Sequence, residues 1–563
     1  MTWRAFGMGG VVWMLGAGLW AAEVIPPPTA KVRLAVLVVF DQLRGDYLER
    51  WQSLFGEGGF RRLQTDGAWF TRCHYPYAST VTGAGHASLV TGASPDRHGI
   101  IANDWYDRGA QAMVYCATSP RYESVPPVPP TSKKRPPGAG SPERLLVPTV
   151  GDLLKEATKG KGKVVSLSLK DRGAVLPGGR RPDACYWFEP SVGLFVTSTY
   201  YRDRPHPWVA ALNQGRLVDR WFGKNWIRFR ADLDYQRYSG PDEIEGEGKG
   251  VAQGMTFPHP MTGGAAAPGK EYYSALYNSP FGNDLLLELV RRGLEEEQLG
   301  RDEVPDLLCI SFSCNDPIGH TWGPDSQEVL DVTLRSDRIV RELLHLLDAQ
   351  VGPGRYVLVL TSDHGICPLP EVSRAAGRDA GRISASLLEL EAEEALREKL
   401  GRPEGTAQWI EETWSPWVWL NRAVMAQQQR KPAEVEAALA EWLARQPGIQ
   451  AALTRTQLLG SSPPADALAA RVRKSFHPDR AGDVVVVPKP YYLLGNQFAT
   501  GTTHGTPHPY DTHVPLLVYG PGVRGGGRDE AVTPQATAAI LARALGVAAP
   551  PQAEVGLPAS LGW

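Results

Sequence analysis

The stretch Tyr356-Val-Leu-Val-Leu-Thr-Ser-Asp-His-Gly365 decides the fold of this chain. Tyr356–Leu360 is an apolar run of strand length, and it leads into two metal-capable side chains, Asp363 and His364, and a glycine. Two other segments repeat the design. Leu34–Phe40 ends directly in Asp41, and Leu307–Phe312 is followed by Asp316-Pro-Ile-Gly-His320. Carboxylates and imidazoles delivered from the C-terminal ends of several apolar strands point to a binuclear metal centre on an α/β sheet. Neighbours on a strand end tend to point apart, so Asp363 and His364 either meet one ion on an irregular turn or serve two ions. The spacing Asp316-x3-His320 lets a short turn after a strand aim both side chains at one ion.

Outward from these strands, helix and strand signals alternate. Thr149–Ala157 reads as a helix, Val164–Leu169 as a strand, and Asp284–Glu297 as an amphipathic helix with Asn283 as its N-cap. Glu328–Asp348 and Pro534–Leu545 read as helices and Val514–Tyr519 as a strand. The expected fold is α/β, a mainly parallel central sheet with helices on both faces. Ser119–Pro148, rich in proline and basic residues, is expected as an exposed loop, and glycine-rich Pro241–Lys270 as a loop or flap. Residues 380–490 have a pattern of their own: helix-like Ser384–Leu400 and Ala433–Gln446, strand-like Trp417–Leu420 and Val484–Val487. They are expected to form a small α/β cap inserted into a catalytic core made of residues 23–379 and 491–563. Trp409, Trp414 and Trp417 in this insert read as buried packing.

Composition narrows the class. The chain has 563 residues, enough for a large core, and 59 basic against 61 acidic residues give a net charge of −2. No basic run suggests a nucleic-acid surface. Arg4, the mainly apolar stretch Phe6–Trp20 and Ala21-Ala22-Glu23 read as a cleaved signal peptide over residues 1–22, hence a periplasmic or secreted protein with no membrane attachment after cleavage. The competing reading is an uncleaved anchor. The six cysteines contain no CxxC pair, which argues against a cysteine-based zinc site; buried thiols with at most one bridge are expected.

The remaining chemistry lies in two clusters. Thr502-Thr-His504-Gly-Thr-Pro-His508-Pro-Tyr-Asp511-Thr-His513 holds three histidines before a strand. Tyr77-Ala-Ser-Thr-Val-Thr82-Gly-Ala-Gly-His86 opens a helix, with Thr82 where free N–H groups and the helix dipole favour anions. Gly83 and Gly85 would allow close approach of backbone to ligand. Coordination to a metal ion would activate a threonine hydroxyl, but Ser79, Thr80 and Ser88 compete with Thr82 on spacing alone.

These motifs resemble the alkaline phosphatase superfamily, and within it the phosphate-irrepressible, single-chain periplasmic alkaline phosphatases. The matching segments span nearly the whole mature chain: Asp41-Gln-Leu-Arg-Gly-Asp-Tyr47, Thr82-Gly-Ala-Gly-His86, His98-Gly-Ile-Ile-Ala-Asn103, Lys170-Asp-Arg172, Phe195-Val-Thr-Ser-Thr-Tyr-Tyr201, Asp316-x3-His320, Asp363-His364-Gly365 and His504-Gly-Thr-Pro507. The resemblance implies two zinc ions, one held by Asp316, His320 and His504, the other by Asp41, Asp363 and His364 beside Thr82. It implies that Thr82 attacks phosphorus and forms a phosphothreonine, that Asn103, Lys170 and Arg172 contact the transferred phosphoryl group, and that the protein is a monomer acting on a broad range of small phosphomonoesters. His504, rather than His508 or His513, matches the ligand.

A phosphomonoester is largely a dianion and a diester a monoanion, so cationic donors beyond the metal ions favour monoesters. Lys170 and Arg172 follow the strand Val164–Leu169 and therefore weigh against the related nucleotide pyrophosphatase/phosphodiesterases, which have Thr-Phe-Pro-Asn-His where this chain has Thr82-Gly-Ala-Gly-His86. The sulfatase pattern Cys/Ser-x-Pro-x-Arg is absent at Thr82. A catalytically silent binding protein would need a broken ligand set, and every expected position is filled.

Overall fold

A computed structural model of the protein describes residues 2, 32–129, 138–461, 464, 466–496 and 499–563. Its main sheet has ten strands: β1 (Leu34–Phe40), β2 (Ala68–Cys73), β3 (Ser124–Val125), β4 (Val164–Ser168), β5 (Ala184–Glu189), β6 (Leu194–Ser198), β7 (Asp306–Phe312), β8 (Tyr356–Thr361), β9 (Leu516–Tyr519) and β10 (Gly526–Val532). Their order is β10-β2-β9-β8-β1-β7-β4-β5-β6-β3. The five neighbours β8-β1-β7-β4-β5 are all parallel. Strand β9 runs antiparallel to both its neighbours, and β6 runs antiparallel to β5.

Strand β1 shows why the sheet is central. All seven of its residues are buried. Leu34, Val36, Val38 and Phe40 enter one apolar cluster, while Ala35, Leu37 and Val39 enter another on the opposite face. That is the period-two alternation of a strand with both faces dry. The helices Phe281–Glu296 and Gln327–Gln350 cover the first face; Thr82–Thr91, Val150–Ala157 and Ala536–Leu545 cover the second. Each fully buried Leu or Val contributes roughly 1.5–3 kcal/mol. Phe40 and Phe312, paired across β1 and β7, stack with ring centres 4.9 Å apart.

The register places the chemistry. Phe40 pairs with Phe312, Val39 with Thr361, and Ser311 with Ser168. Four adjacent parallel strands therefore end level with one another, and Asp41, Asp316, Asp363-His364 and Lys170-Asp-Arg172 leave from the same edge.

Several local expectations change. Asn283 is not an N-cap; it lies inside the helix Phe281–Glu296, whose N-cap is Pro280. Its side-chain oxygen accepts from the Cys314 N–H (3.2 Å) and its amide donates to Asn315 (3.0 Å), tying the helix to the exit of β7. The Ser119–Pro148 stretch is not a bare exposed loop: Ser124–Val125 extends the main sheet, Ala139–Gly140 pairs with Thr118–Ser119, and Ala139, Ser141, Leu145 and Val147 are buried. Pro241–Lys270 is not a free flap, because Glu247, Gln253, His259 and Met261 are buried. All six cysteines are buried and free, with no bridge. The expected signal segment falls on residues that, Thr2 apart, lie outside the described ones. Among the described residues no helix is long and apolar enough to cross a membrane.

Between β8 and β9 the chain builds a second, four-stranded sheet in the order Ile410–Trp414, Trp417–Leu420, Val484–Pro488, Ile449–Thr454. The helices Ala385–Leu400 and Pro432–Leu443 pack on it around Leu396, Trp409, Leu420, Val435, Leu439 and Val486. The other side chains of the same strands, Trp417, Trp419, Val485 and Val487, join Ile100, Trp105 and Leu176 of the main body. Trp409 and Trp417 are buried as expected, but Trp414 is 42% exposed.

Candidate active site

Three histidines carry the same local device. His320 Nδ1 lies 2.7 Å from the Thr502 carbonyl, His364 Nδ1 2.9 Å from the Gly365 carbonyl, and His504 Nδ1 2.8 Å from the Thr80 carbonyl. A carbonyl only accepts, so each Nδ1 carries a proton and Nε2 is the nitrogen left to coordinate a metal ion. Those Nε2 atoms converge on carboxylates. His320 Nε2 is 3.2 Å and His504 Nε2 3.5 Å from Asp316 Oδ1, and His364 Nε2 is 3.5 Å from both Asp41 Oδ1 and Asp363 Oδ2. The rings of His364 and His504 stack with centres 3.5 Å apart. Donor atoms of Asp41, Asp363 and His364 lie within 4.8 Å of one another, as do those of Asp316, His364 and His504. The two sets share His364, whereas the resemblance grouped His320 with Asp316 and His504. Asp363 and His364 thus converge rather than point apart, because the chain leaves strand geometry at Ser362.

His320 reaches the cluster differently from the sequence expectation. Asp316 and His320 sit four residues apart on the helix Asn315–Trp322, not on a turn, and one helical pitch brings them to the same face.

Thr82 opens the helix Thr82–Thr91, which has no side-chain cap. Its Oγ1 lies 3.3 Å from His364 Nε2 and accepts from Arg172 Nη2 at 3.3 Å. The competing hydroxyls are engaged or distant: Thr80 donates to the Thr506 carbonyl (2.8 Å), Ser88 pairs with His98 (3.1 Å), and no contact joins Ser79 to the cluster among the described residues. Asn103 accepts from the Gly83 N–H at 2.8 Å, which fixes its amide beside Thr82. The Lys170 ammonium lies 2.6 Å from Asp41 Oδ2 and 2.6 Å from Asp316 Oδ2, bridging the two donor sets. Every predicted site residue is therefore in one cluster. His508 and His513 are not: His508 Nε2 donates to the Pro488 carbonyl, and His513 Nε2 to the Thr71 carbonyl, both at 2.9 Å.

The electrostatics are those of buried, crowded charge. Burial, reinforced by Asp363, pushes the Asp41 carboxyl well above the usual range. Burial opposes ionisation of Asp316 and Asp363 too, but Lys170 and His320 hold Asp316 low, and His364 and His86 hold Asp363 low. Burial lowers His364 to about 3 and also lowers His504. Against the same burial, Asp316 raises His320.

Two residues escaped the sequence reading. Gln42, at φ 68°, donates its side-chain amide to Asp316 Oδ1 (2.8 Å) and its backbone N–H to Asp363 Oδ1 (3.1 Å). A left-handed non-glycine costs of order 1–3 kcal/mol, held here by the contacts it makes. His86 sits one helical turn after Thr82, with Nδ1 2.9 Å from the Thr82 carbonyl and 3.2 Å from Asp363 Oδ2, and Nε2 2.9 Å from Ser311 Oγ. Its signals in the sequence are its i+4 spacing from Thr82 and its place at the end of Thr82-Gly-Ala-Gly-His86. The role of Gly85 also differs: a Cβ there would stand 2.3 Å from the Asp363 carbonyl oxygen, so the glycine admits the neighbouring backbone, not a ligand.

The donor set suits a metal. It is nitrogen and oxygen only, its imidazoles are fixed in one tautomer by carbonyls, and Asp41 Oδ1 is buried without a hydrogen-bond partner. Such an oxygen is costly unless a cation meets it.

Comparison with known proteins gives the family. The family model for type I phosphodiesterase / nucleotide pyrophosphatase matches residues 35–511. Alkaline phosphatase PafA of Elizabethkingia meningoseptica is 33% identical over 526 residues, covering 91% of this chain and 92% of the relative. Alkaline phosphatase PhoV of Synechococcus elongatus is 32% identical over 515 residues, covering 90% and 88%. The crystal structure of wild-type PafA superposes with a TM-score of 0.84 at 31% identity, covering 96% of this chain and all of that one. The chain belongs to the type I phosphodiesterase/nucleotide pyrophosphatase family, within the alkaline phosphatase superfamily, and is an alkaline phosphatase of the PafA-like kind.

Proposed function

We propose that the protein is a zinc-dependent phosphomonoesterase that works through a covalent phosphothreonine on Thr82. The observation that carries this reading is the position of Thr82 Oγ1, 3.3 Å from both His364 Nε2 and Arg172 Nη2. A nucleophile there stands between a metal-donor set and a phosphate-binding cation.

Asp41, Asp363 and His364 would hold one zinc ion, and Asp316, His320 and His504 the other; the shared reach of His364 supports two ions close together. Bound there, the ions would acidify the Thr82 hydroxyl and a hydrolytic water and offset charge on the leaving oxygen. Thr82 attacks phosphorus in line. Arg172 steadies the phosphoryl oxygens on the Thr82 side, itself placed by a 3.1 Å hydrogen bond to Tyr115. Lys170 supplies a second positive charge between the donor sets, and Asn103 a neutral amide. Water then attacks the phosphothreonine from the side the alcohol has left, releasing phosphate and restoring Thr82.

The separate four-stranded sheet and its helices support residues 380–490 as a cap over this site, on a core of residues 23–379 and 491–563. One chain supplies every proposed site residue, so the reaction requires no residue from a second copy. The apolar stretch Phe6–Trp20 supports export to the periplasm or beyond. A phosphodiesterase on the same scaffold is the rival reading, and the two cations Lys170 and Arg172 weigh against it.

Initial rates on an aryl phosphomonoester and its matching diester, with and without chelator, test the proposal. The expected result is a strong monoester preference that chelator abolishes and added zinc restores. A diester preference, or chelator-resistant turnover, sinks it.

A further inference from the structure

A cavity of about 390 Å³ lies between the metal-donor cluster and the inserted residues 380–490, with Leu494, Gly495 and Asn496 just beyond the insert also on its wall. This falls within the roughly 300–1,000 Å³ of small-molecule sites. The main body contributes Val81, Asn103, His320, Thr503 and His504 to its lining. The insert contributes mostly hydrocarbon, including Leu388, Ile410, Trp417, Leu439, Leu443 and Val486. Trp414, unusually exposed for its size, also lines it. Among the described lining residues there is no Lys or Arg, and the one carboxylate, Glu389, accepts a hydrogen bond from the Thr413 hydroxyl.

We propose that this cavity receives the hydrocarbon part of the leaving alcohol and makes the enzyme selective for phosphomonoesters of apolar alcohols. The inference rests on the phosphomonoesterase reading above. Direction follows from the chemistry. In an in-line displacement the leaving oxygen stands opposite the attacking one. Thr82 is beside His364 and Arg172 and does not line the cavity, whereas His320 and His504 of the other donor set do. The alcohol therefore departs toward the cavity. A polyphosphate leaving group, as in a nucleoside triphosphate, would find Glu389 and no cation. An alkyl chain or single aromatic ring would instead exchange water for Leu, Ile, Val and Trp side chains.

The n-alkyl phosphates from ethyl to octyl test this, because their leaving alcohols have closely similar intrinsic reactivity. The kcat/KM of the wild-type enzyme should rise by up to about fourfold per methylene, the ratio that ~0.8 kcal/mol per buried methylene corresponds to, until the cavity is filled. Leu388→Asn should lower the octyl-to-ethyl ratio, and Ala385→Phe, which fills space, should make the series level off at a shorter chain. A flat or falling wild-type series in an enzyme that hydrolyses ethyl phosphate overturns the cavity assignment and leaves the phosphomonoesterase reading intact. Failure to hydrolyse any monoester overturns both. The wild-type series decides the matter even where a variant fails to fold.

Discussion

Lys170 and Asp316 meet as a buried ion pair, with Nζ 2.6 Å from Oδ2, although 146 residues separate them in sequence. The same ammonium reaches Asp41 at 2.6 Å. A single positive charge thus lies between carboxylates of both donor sets, where a dianionic phosphoryl group would gain most from it. Lys170→Ala should lower monoester turnover by about 10²–10³-fold and diester turnover far less, because a diester carries one fewer negative charge. Steady-state kinetics on both substrates check this, and equal losses would remove the charge-matching role given to Lys170.

Thr82→Ala removes the proposed nucleophile while leaving His364 and Arg172 in place. Turnover should fall on the order of 10⁶-fold, the cost of deleting the nucleophile of a serine protease, and no phosphoprotein should be trapped by acid quench. Mass spectrometry of the quenched wild-type protein should place the phosphate on Thr82. Phosphate on Ser79 or Thr80 would reassign the nucleophile.

The contrast between Asp41 and Gln42 shows what the sequence could reveal. Asp41 ends an apolar strand, so its direction toward the sheet edge followed from the strand itself. Gln42 reaches Asp316 only because its backbone enters the left-handed region, and an amide residue carries no pattern announcing that. Residue type alone points to His320, but the sequence hides its helix, because Pro317 and Gly319 are residues that favour loops. Gly319 fits for a tertiary reason: a Cβ there would stand 1.8 Å from the Gln42 amide oxygen. Strand ends were legible from local pattern, while contacts made across the site by loop and helix backbones were not.

Gln42 leads to a prediction of its own. Gln42→Ala deletes the 2.8 Å hydrogen bond that orients Asp316. Loss of such an outer contact typically costs 10–100-fold in metal affinity. Titration against a chelator of known affinity should show weakening on the order of 10-fold, with turnover at saturating zinc reduced much less. Unchanged zinc affinity would make Gln42 a packing residue only.

Gly85 gives a stability test at the same site. A Cβ at this position meets Asp363 backbone at 2.3 Å and its Cα at 2.8 Å, and backbone cannot rotate away as a flexible side chain can. Gly85→Ala should destabilise the fold by about 1–3 kcal/mol and displace Asp363. A lower denaturation midpoint together with lost metal affinity is expected. Gly83→Ala is the control, since its nearest contacts, at 3.0–3.3 Å, are side-chain atoms of Cys116, Asn103 and Ile100. Equal stability of the two variants would contradict the close-approach argument.

Glu247 tests the pH dependence of the fold away from the reacting groups. Its carboxyl is buried, and that burial, reinforced by Glu328 and Asp242, pushes its pKa up to about 9. Around it, His259 lies 3.0 Å from Glu328, and Arg228 pairs with Asp242 at 2.9 Å. One Glu247 oxygen accepts from the Ile244 N–H at 3.1 Å, and the other has no hydrogen-bond partner. The folded protein therefore holds this proton more tightly than the unfolded chain, whose glutamate titrates near its ordinary value of about 4.5. Between that value and about 9, each rise in pH releases the proton more readily from the unfolded state, so stability falls as pH rises. Glu328, also raised by burial, acts in the same direction. Urea midpoints at pH 6 and pH 9 should show the wild type losing stability. Glu247→Gln cannot ionise, keeps an oxygen for the Ile244 N–H and offers an amide toward Glu328, so it should lose distinctly less. Parallel losses in the two proteins would show that Glu247 does not set the slope.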